Sequence, residues 1–226
     1  NNSDAVSESD GDAVFEFFDD FEDNDISDWS QDSGAWTVSG GIVSNENSGY
    51  MSKEVNVGAQ KIIRTKIKSK ETPEASASYN GPGVCHSFQD LDNFYKDWLS
   101  VYSDRFGTQK KSGGSWSSEY YSSTSITLDQ NVWYVYEVLD NNGNISQRVN
   151  DGSWFSVHDY GSYTYQGRIA LFCNYVGIDV DWIVVRKYTD PEPSISVGME
   201  EWLPPPPIKI VYVSPTTLKV QIYFTE

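Results

Sequence analysis

Short runs of alternating apolar and polar residues, bounded by Gly, Asn, Asp and Ser, recur from Ala13 to about residue 200. In KIIRTKIKSK (61–70), Ile63, Thr65 and Ile67 share one face of an extended chain, and basic residues occupy the other. This period of two residues is typical of a strand with one buried face. Roughly a dozen such runs, with turn signals about every 8 to 12 residues, predict an all-β, two-sheet antiparallel sandwich over residues 13–202.

Two segments refine this prediction. WYVYEVL (133–139) is largely apolar on both faces, and DNNGN (140–144) after it has residues that tolerate the positive φ of a tight hairpin turn. SFQDLDNFYKDWLSVY (87–102) is rich in aromatic residues, and a helix is one interpretation of it. A loop followed by a strand over 93–102 agrees better with the neighbouring strands.

The residues after the sandwich form a separate region. A proline linker at 203–207 acts as a stiff spacer, and two strictly alternating segments follow within 208–226. Two strands alone cannot bury a core. They must pair with the sandwich, with a neighbouring copy of the chain or with a further domain. Because the proline spacer makes packing back on the sandwich harder, we predict that they pair outside residues 13–200.

Charge narrows the classes of partner. The chain has 33 acidic and 16 basic residues, a net charge of -17, which disfavours binding to nucleic acid or to an anionic membrane surface. No apolar run approaches the roughly 18 residues of a membrane span. Twelve of the acidic residues lie within residues 1–34, which contain no base, and residues 1–12 form an acidic lead-in. This local excess indicates either a solvated surface or a cation site.

FFDDFEDNDISDWSQDSGAWTVSGGIVS (17–44) and VDWIVVRKYTDPEPSISVGMEE (180–201) resemble a known group of surface domains. These are the concanavalin A-like, laminin-G-like jelly rolls of archaeal and bacterial surface proteins, of the kind that follows a domain of unknown function, family 2341. The resemblance implies a jelly roll whose first strand, at 13–21, lies beside its last, at 178–188. It also implies an extracellular, cell-surface location.

Two expectations about the whole protein accompany this resemblance. Residues 208–226 look like the opening strands of an immunoglobulin-like surface repeat. Because the chain begins with Asn1 rather than Met, we expect a processed product or an excised piece.

The resemblance further implies a structural calcium ion between the first and last strands. Carried over to this chain, its acidic ligands are Asp20, Glu22 and Asp181, with backbone carbonyls completing the shell. The other interpretation is that Asp181 caps a turn or forms a surface pair with Arg186 or Lys187.

Catalysis is not expected. Glucanases of this fold carry Glu-x-Asp-x-Glu or Glu-x-Asp-x-x-Glu along one strand, which places paired carboxylates on one face, and the chain has no such triplet. His86 and His158 have no obvious acid and nucleophile partners in the sequence.

Aromatic residues favour a binding function instead. The chain has 8 Trp and 15 Tyr, and flat rings stack on sugars, although many of them will fill the core. The best candidates for ligand binding are Trp116, Tyr120 and Tyr121, in a Ser- and Gly-rich segment, and Trp154, after a hairpin turn. We predict a non-catalytic extracellular recognition module that binds glycan or another cell-surface protein. The alternative is a structural subunit of a filament or stalk, assembled with copies of itself by strand addition through residues 208–226.

Cysteine and asparagine residues give two further hypotheses. Cys85 and Cys173 fall in predicted strands of one domain, so they form either a disulfide, as an exported chain allows, or two separate buried thiols. Asn1 and Asn144 each begin an Asn-x-Ser triplet and are candidate glycosylation sites.

Overall fold

The computed structural model of the chain describes residues 15–70, 81–124, 126–161 and 167–191, and in the tail residues 211–214 and 217–219. The chain divides into two compact units, Asn1–Pro191 and Glu192–Glu226. Each unit is described here by itself.

Sixteen strands are described in the first unit. In chain order they are β1 (Phe17–Asp19), β2 (Ser30–Ser33), β3 (Thr37–Ser39), β4 (Ile42–Asn45), β5 (Gly49–Glu54), β6 (Gln60–Ser69), β7 (Gly81–Asp90), β8 (Asn93–Ser100), β9 (Arg105–Ser112), β10 (Ser115–Trp116), β11 (Tyr120–Ser123), β12 (Trp133–Asn141), β13 (Asn144–Val149), β14 (Phe155–Asp159), β15 (Arg168–Asn174) and β16 (Ile178–Lys187). The tail contributes β17 (Val211–Ser214) and β18 (Thr217–Lys219).

The first unit is a two-sheet antiparallel jelly-roll sandwich, which confirms the predicted fold class. One sheet, the first sheet, has the order β14-β13-β12-β6-β16-β4-β3, and β1 also pairs with β16. The second sheet has the order β10-β9-β8-β7-β15-β5-β2, and β11 also pairs with β9.

Local sequence patterns account for several of these strands. Along β6, Ile63, Thr65 and Ile67 are buried and the basic residues between them are partly exposed, as the alternation predicted. Asn142 and Gly143 join β12 to β13 with φ values of 54° and 92°, the left-handed backbone that a tight hairpin turn needs. The segment at 93–100 is strand β8 rather than a helix.

The first and last strands of the sandwich lie side by side, which confirms a second prediction. β1 pairs antiparallel with β16, with Phe17 opposite Val185 and Asp19 opposite Ile183. The Trp29 indole packs edge-on against Phe17, with 5.7 Å between ring centroids, and its Nε1 donates a 2.7 Å hydrogen bond to Asp19 Oδ2. These contacts hold β1 and Trp29 together beside β16.

In the largely apolar core between the sheets, a chain of polar and charged side chains joins one sheet to the other. From the first sheet, Lys61 Nζ donates a 2.7 Å hydrogen bond to Asp140 Oδ2. From the second sheet, His86 lies with Nδ1 3.3 Å from Asp140 Oδ2 and Nε2 2.9 Å from Asp97 Oδ2. Gln147 of the first sheet then donates a 3.0 Å hydrogen bond to Asp97 Oδ1. We call these five residues the inter-sheet network, and all five are buried.

Neighbouring groups complete the network at both ends. The Tyr136 hydroxyl donates a 2.7 Å hydrogen bond to Gln147 Oε1, and the Gly143 amide donates a 2.9 Å hydrogen bond to Asp140 Oδ1. Burial alone would lower the pKa of His86, but the carboxylates of Asp97 and Asp140 outweigh burial and raise that pKa. A protonated His86 therefore balances one of the two carboxylates, and Lys61 balances the other.

The two cysteines do not form a disulfide, which corrects one of the two hypotheses. Both thiols are free and buried. Cys173 faces the core between the sheets, whereas Cys85 belongs to a separate cluster on the outer side of the second sheet. Cys85 pairs with Ala170 across β7 and β15, and Cys173 pairs with Pro82, so the thiols lie on opposite faces of one sheet.

The described part of the tail forms a hairpin. β17 pairs antiparallel with β18, with Val211 opposite Lys219 and Tyr212 opposite Leu218. Both strands of a two-stranded sheet are edge strands, and an edge strand can pair with a further strand. Strand addition to a neighbouring chain or to a further domain stays a prediction.

We predict that stability depends on the charge of His86. The folded-state pKa of His86 exceeds the ordinary value of about 6.5, so its contribution is complete below that pH and is lost as the pH rises through the raised pKa. The free energy of unfolding, measured with urea, should therefore fall as the pH increases above about 6.5. His86→Gln should flatten this dependence and lower stability by about 3 kcal/mol, the usual cost of breaking a buried ion pair.

The matched control for this experiment is His158→Gln. His158 is only partly buried and stacks on Tyr120 outside the network. The free energy of unfolding of this variant should fall with increasing pH as it does in the unaltered chain. An identical pH slope in His86→Gln and the unaltered chain would contradict the proposed role of His86.

Thiol reactivity gives a second prediction. Burial raises the pKa of Cys85 well above its ordinary value and that of Cys173 to about 12, so neither thiol should react in the native state at neutral pH. After unfolding without reductant, two thiols per chain should react with a chromogenic disulfide reagent. Fewer than two would indicate a bridge and contradict the separation of the two thiols.

The tail gives a third prediction. Removal of residues 203–226 should leave a folded monomer, whereas the full chain should associate as its concentration rises, because apolar strand edges recruit further strands. Sedimentation analysis of both chains measures this difference. A full chain that stays monomeric at high concentration, with tail amides protected from hydrogen exchange, would contradict it.

Candidate functional site

The outer side of the second sheet carries an aromatic cluster separate from the core. On β8, Asp97 and Leu99 point between the sheets, so Phe94, Lys96 and Trp98 point outward. We call this outer surface the aromatic face. Its cluster consists of Cys85, Phe88, Phe94, Trp98, Ala170 and Phe172, with Tyr50 and Tyr121 packed against it.

A glycine allows Trp98 to lie flat on this face. Gly107 is opposite Trp98 in the pairing of β8 with β9, and a Cβ atom at Gly107 would come within 2.2 Å of the indole ring. Tyr121, on the next strand, contacts the indole edge-on with 5.8 Å between centroids. The bare backbone at Gly107 therefore fixes the position of Trp98 beside Tyr121.

Trp116 stands at the rim of the aromatic face. The short strand β10 pairs with β9 and places Trp116 opposite Lys111. Its ring meets Phe94 at right angles with 5.5 Å between centroids, yet 45% of the residue is exposed. It is thus an anchored ring with an accessible surface.

Lys96 lies at the centre of the aromatic face. Only 4% of the residue is exposed, and Cys85 and Gln109 flank it on the neighbouring strands. Its Nζ atom is 4.8 Å from the ring centroid of Trp98 and 4.5 Å from that of Trp116, which are cation–π contacts. Within the described residues, Lys96 has no hydrogen bond or ion pair.

The buried ammonium has an unusual electrostatic environment. Burial lowers the pKa of Lys96, and the carboxylate of Glu119 opposes part of this decrease. Lys96 lines an open cavity and has no acceptor among the described residues, so a ligand oxygen there can accept a hydrogen bond from its ammonium in a largely desolvated setting.

A polar cavity of about 320 Å³ opens over Lys96. Its walls combine aromatic rings with hydrogen-bonding side chains: Tyr50, Lys96, Gln109, Trp116, Glu119, Asn174 and Tyr175. Tyr175 is 54% exposed and, with Trp116, provides a second accessible ring at the cavity. Rings beside convergent polar groups suit a small ligand that has both apolar and polar faces.

The structure brings together two of the four residues predicted to bind ligand. Trp116 and Tyr121 both lie on the aromatic face. Tyr120 points the other way from Tyr121 and stacks on His158, with 3.3 Å between centroids. Trp154 is half-buried with the Arg148 guanidinium 4.3 Å from its ring centroid, and it does not line the cavity.

The residues predicted to bind ligand did not include Lys96, Gln109 or Glu119. A signal for Lys96 was present in FYKDW (94–98), where Phe94, Lys96 and Trp98 alternate along one strand and so share a face. No comparable local signal marks Gln109 or Glu119, because strand pairing and a loop bring them to the cavity.

The predicted calcium ligands do not converge on a metal site. The Lys66 ammonium binds Asp181 at 2.5 Å, and Asp20 Oδ1 accepts a hydrogen bond from the amide of Glu22. Across the described part of the chain, no group of three or more His, Cys, Asp or Glu side chains is placed to hold a metal ion. Calcium needs six to eight oxygens, which backbone carbonyls would have to complete, so calcium at these residues stays a prediction.

Local partners account for several of the other acidic residues. At the end of β1 and in the loop after it, Asp19, Asp23 and Asp25 each accept a hydrogen bond from the backbone amide two residues onward. These are Asx turns, which short acidic side chains favour.

The structure describes one of the two candidate glycosylation sites. Asn144 is exposed at the start of β13, whereas Asn1 lies outside the described residues. Among the residues that the structure describes, no helix is long and apolar enough to cross a membrane.

Comparison with known proteins identifies relatives by fold alone. No family model matches the chain, and no curated protein matches it in sequence. The expected relation to family 2341 therefore has no support from a sequence match.

Solved structures with similar architecture include three carbohydrate-related proteins. The GH43 protein BlXynB of Bacillus licheniformis, a mutant, superposes with a TM-score of 0.55 at 13% identity, covering 76% of this chain and 39% of that chain. The VIP36 exoplasmic/lumenal domain with Ca2+ and Man3GlcNAc superposes with a TM-score of 0.53 at 12% identity. The match covers 77% of this chain and 89% of that chain. Bacillus licheniformis β-glucanase superposes with a TM-score of 0.52 at 11% identity. The match covers 76% of this chain and 98% of that chain.

This chain thus spans 39% of BlXynB and most of the other two. At 11 to 13% identity the likeness extends to the fold and no further. The first unit of the chain shares the two-sheet, concanavalin A-like jelly-roll fold of these structures.

Proposed function

We propose that the chain is a non-catalytic glycan-binding module that binds sugar at the cavity of the aromatic face. The observation that carries this proposal is Lys96, a largely buried lysine whose ammonium lies near two indole rings and lines a polar cavity. A sugar ring has apolar C–H faces for Trp116 and hydroxyl groups for the polar wall.

The composition of the cavity supports a saccharide over an apolar ligand. Gln109, Glu119 and Asn174 provide acceptors, Lys96 and Asn174 provide donors, and exposed rings lie at the rim. The fold is consistent with this use, since VIP36 was solved with Man3GlcNAc bound.

The number of carboxylates supports binding over hydrolysis. Glycoside hydrolysis uses two carboxyl groups on either side of the scissile bond. Of the described residues that line the cavity, Glu119 alone carries one. We include a lack of catalysis and an extracellular location in the proposal; the location is the one implied by the surface-protein resemblance of residues 17–44 and 180–201.

Glycan binding should depend on Trp116. Trp116→Ala removes an anchored stacking ring and should weaken binding to a glycan that the unaltered chain recognises by about tenfold, which is ~1.4 kcal/mol. A glycan array finds the ligand, and calorimetric titration measures the dissociation constant.

Trp154→Ala is the matched control. It removes the same side chain from a site that does not line the cavity, so affinity should stay within about twofold of the unaltered chain. Equal losses in both variants, or an array without any bound glycan, would contradict the proposed site.

A further inference from the structure

We propose that Lys96 and Glu119 act as a donor–acceptor pair that selects neutral sugars and rejects acidic ones. Lys96 donates to the oxygen of one sugar hydroxyl, and Glu119 accepts a hydrogen bond from a neighbouring hydroxyl of the same sugar. This inference deepens the proposed function and rests on it, since it names the class of saccharide that the cavity takes.

Lys96 supplies the donor side of the pair. Its ammonium has three N–H donors and, among the described residues, no hydrogen-bond acceptor of its own. The indole rings of Trp98 and Trp116 stabilise its charge but accept no conventional hydrogen bond. A hydroxyl oxygen of the ligand can accept from this ammonium in place of solvent in the cavity.

Glu119 supplies the acceptor side. Its Oε2 atom accepts a hydrogen bond from the Tyr121 hydroxyl, which holds the carboxylate at the cavity wall. No described residue donates to its Oε1 atom. Gln109 is similarly oriented, because its Nε2 donates a 2.9 Å hydrogen bond to the Ser117 carbonyl and its Oε1 accepts from no described residue.

This arrangement matches hydroxyl groups better than a carboxylate. A hydroxyl both donates and accepts, so two adjacent hydroxyls satisfy Lys96 and Glu119 together. An ionised carboxylate only accepts, so it leaves the acceptors of Glu119 and Gln109 without donors. With Lys96 already opposed by Glu119, a ligand carboxylate also gives the cavity a net negative charge, in a chain of net charge -17.

The test compares neutral and acidic saccharides of equal length. The probes are gluco-, galacto-, manno- and xylo-oligosaccharides, alongside oligogalacturonides and glucuronate-containing oligosaccharides, titrated at neutral pH and read by tryptophan fluorescence and calorimetry. We expect the best neutral probe to bind at least about tenfold more tightly than the best acidic probe.

Two variants separate this pair from general effects on the site. Glu119→Gln keeps an acceptor for the Tyr121 hydroxyl but removes the charge, so it should weaken neutral binding several-fold and strengthen acidic binding. Lys96→Met keeps an unbranched side chain between the indoles but removes all three donors, so it should weaken neutral binding at least about tenfold.

Lys66→Met is the matched control, because Lys66 pairs with Asp181 on the first sheet, away from the cavity. It should leave both affinities unchanged, and thermal melting checks that every variant is folded. Acidic probes that bind as tightly as neutral ones, or an unchanged selectivity in Glu119→Gln, would overturn this inference and leave glycan binding intact. Binding of neither class would overturn the proposed function, and this inference with it.

Discussion

The sandwich depends on the inter-sheet network, in which four charged groups are buried between two apolar sheets. Lys61 and Asp140 come from strands of the first sheet, and His86 and Asp97 come from strands of the second. An unpaired buried charge is costly, so the sheets can pack only in an arrangement that pairs all four groups. Apolar contacts alone would tolerate small shifts of one sheet over the other, whereas a chain of contacts at 2.7 to 3.3 Å does not.

The same strands that carry this network also carry the candidate site. On β8, Asp97 faces the network, and its neighbours Lys96 and Trp98 face outward onto the aromatic face. A slip of one residue in the pairing of β8 would exchange these faces and bury Lys96 in the core. The pairing that satisfies Asp97 is therefore also the one that places Lys96 between Trp98 and Trp116. Core electrostatics and the geometry of the cavity are set by one strand register.

Acidic residues at the strand ends have structural roles that composition alone does not distinguish from metal binding. Asp179 and Asp181 enter β16 opposite the basic face of β6, where Lys68 lies 2.8 Å from Asp179 and Lys66 lies 2.5 Å from Asp181. Burial opposes ionisation of Asp179, but hydrogen bonds from Lys68, Ser44 and Lys70 outweigh it and lower its pKa. The polar faces of two neighbouring strands thus neutralise each other.

The sequence by itself determined the β-sandwich and the hairpin at Asn142 and Gly143, and its resemblance to known surface domains implied the pairing of the first strand with the last. Strand period and turn residues are local signals of the sequence. The resemblance rests on two motifs, at residues 17–44 and 180–201. Tertiary structure alone decided that Tyr121 joins the site while Tyr120 does not, and that Cys85 and Cys173 stay apart. Such outcomes depend on which face of which sheet a residue occupies. That is fixed by register between strands as distant as Lys66 and Asp181, 115 residues apart, and no local pattern carries this information.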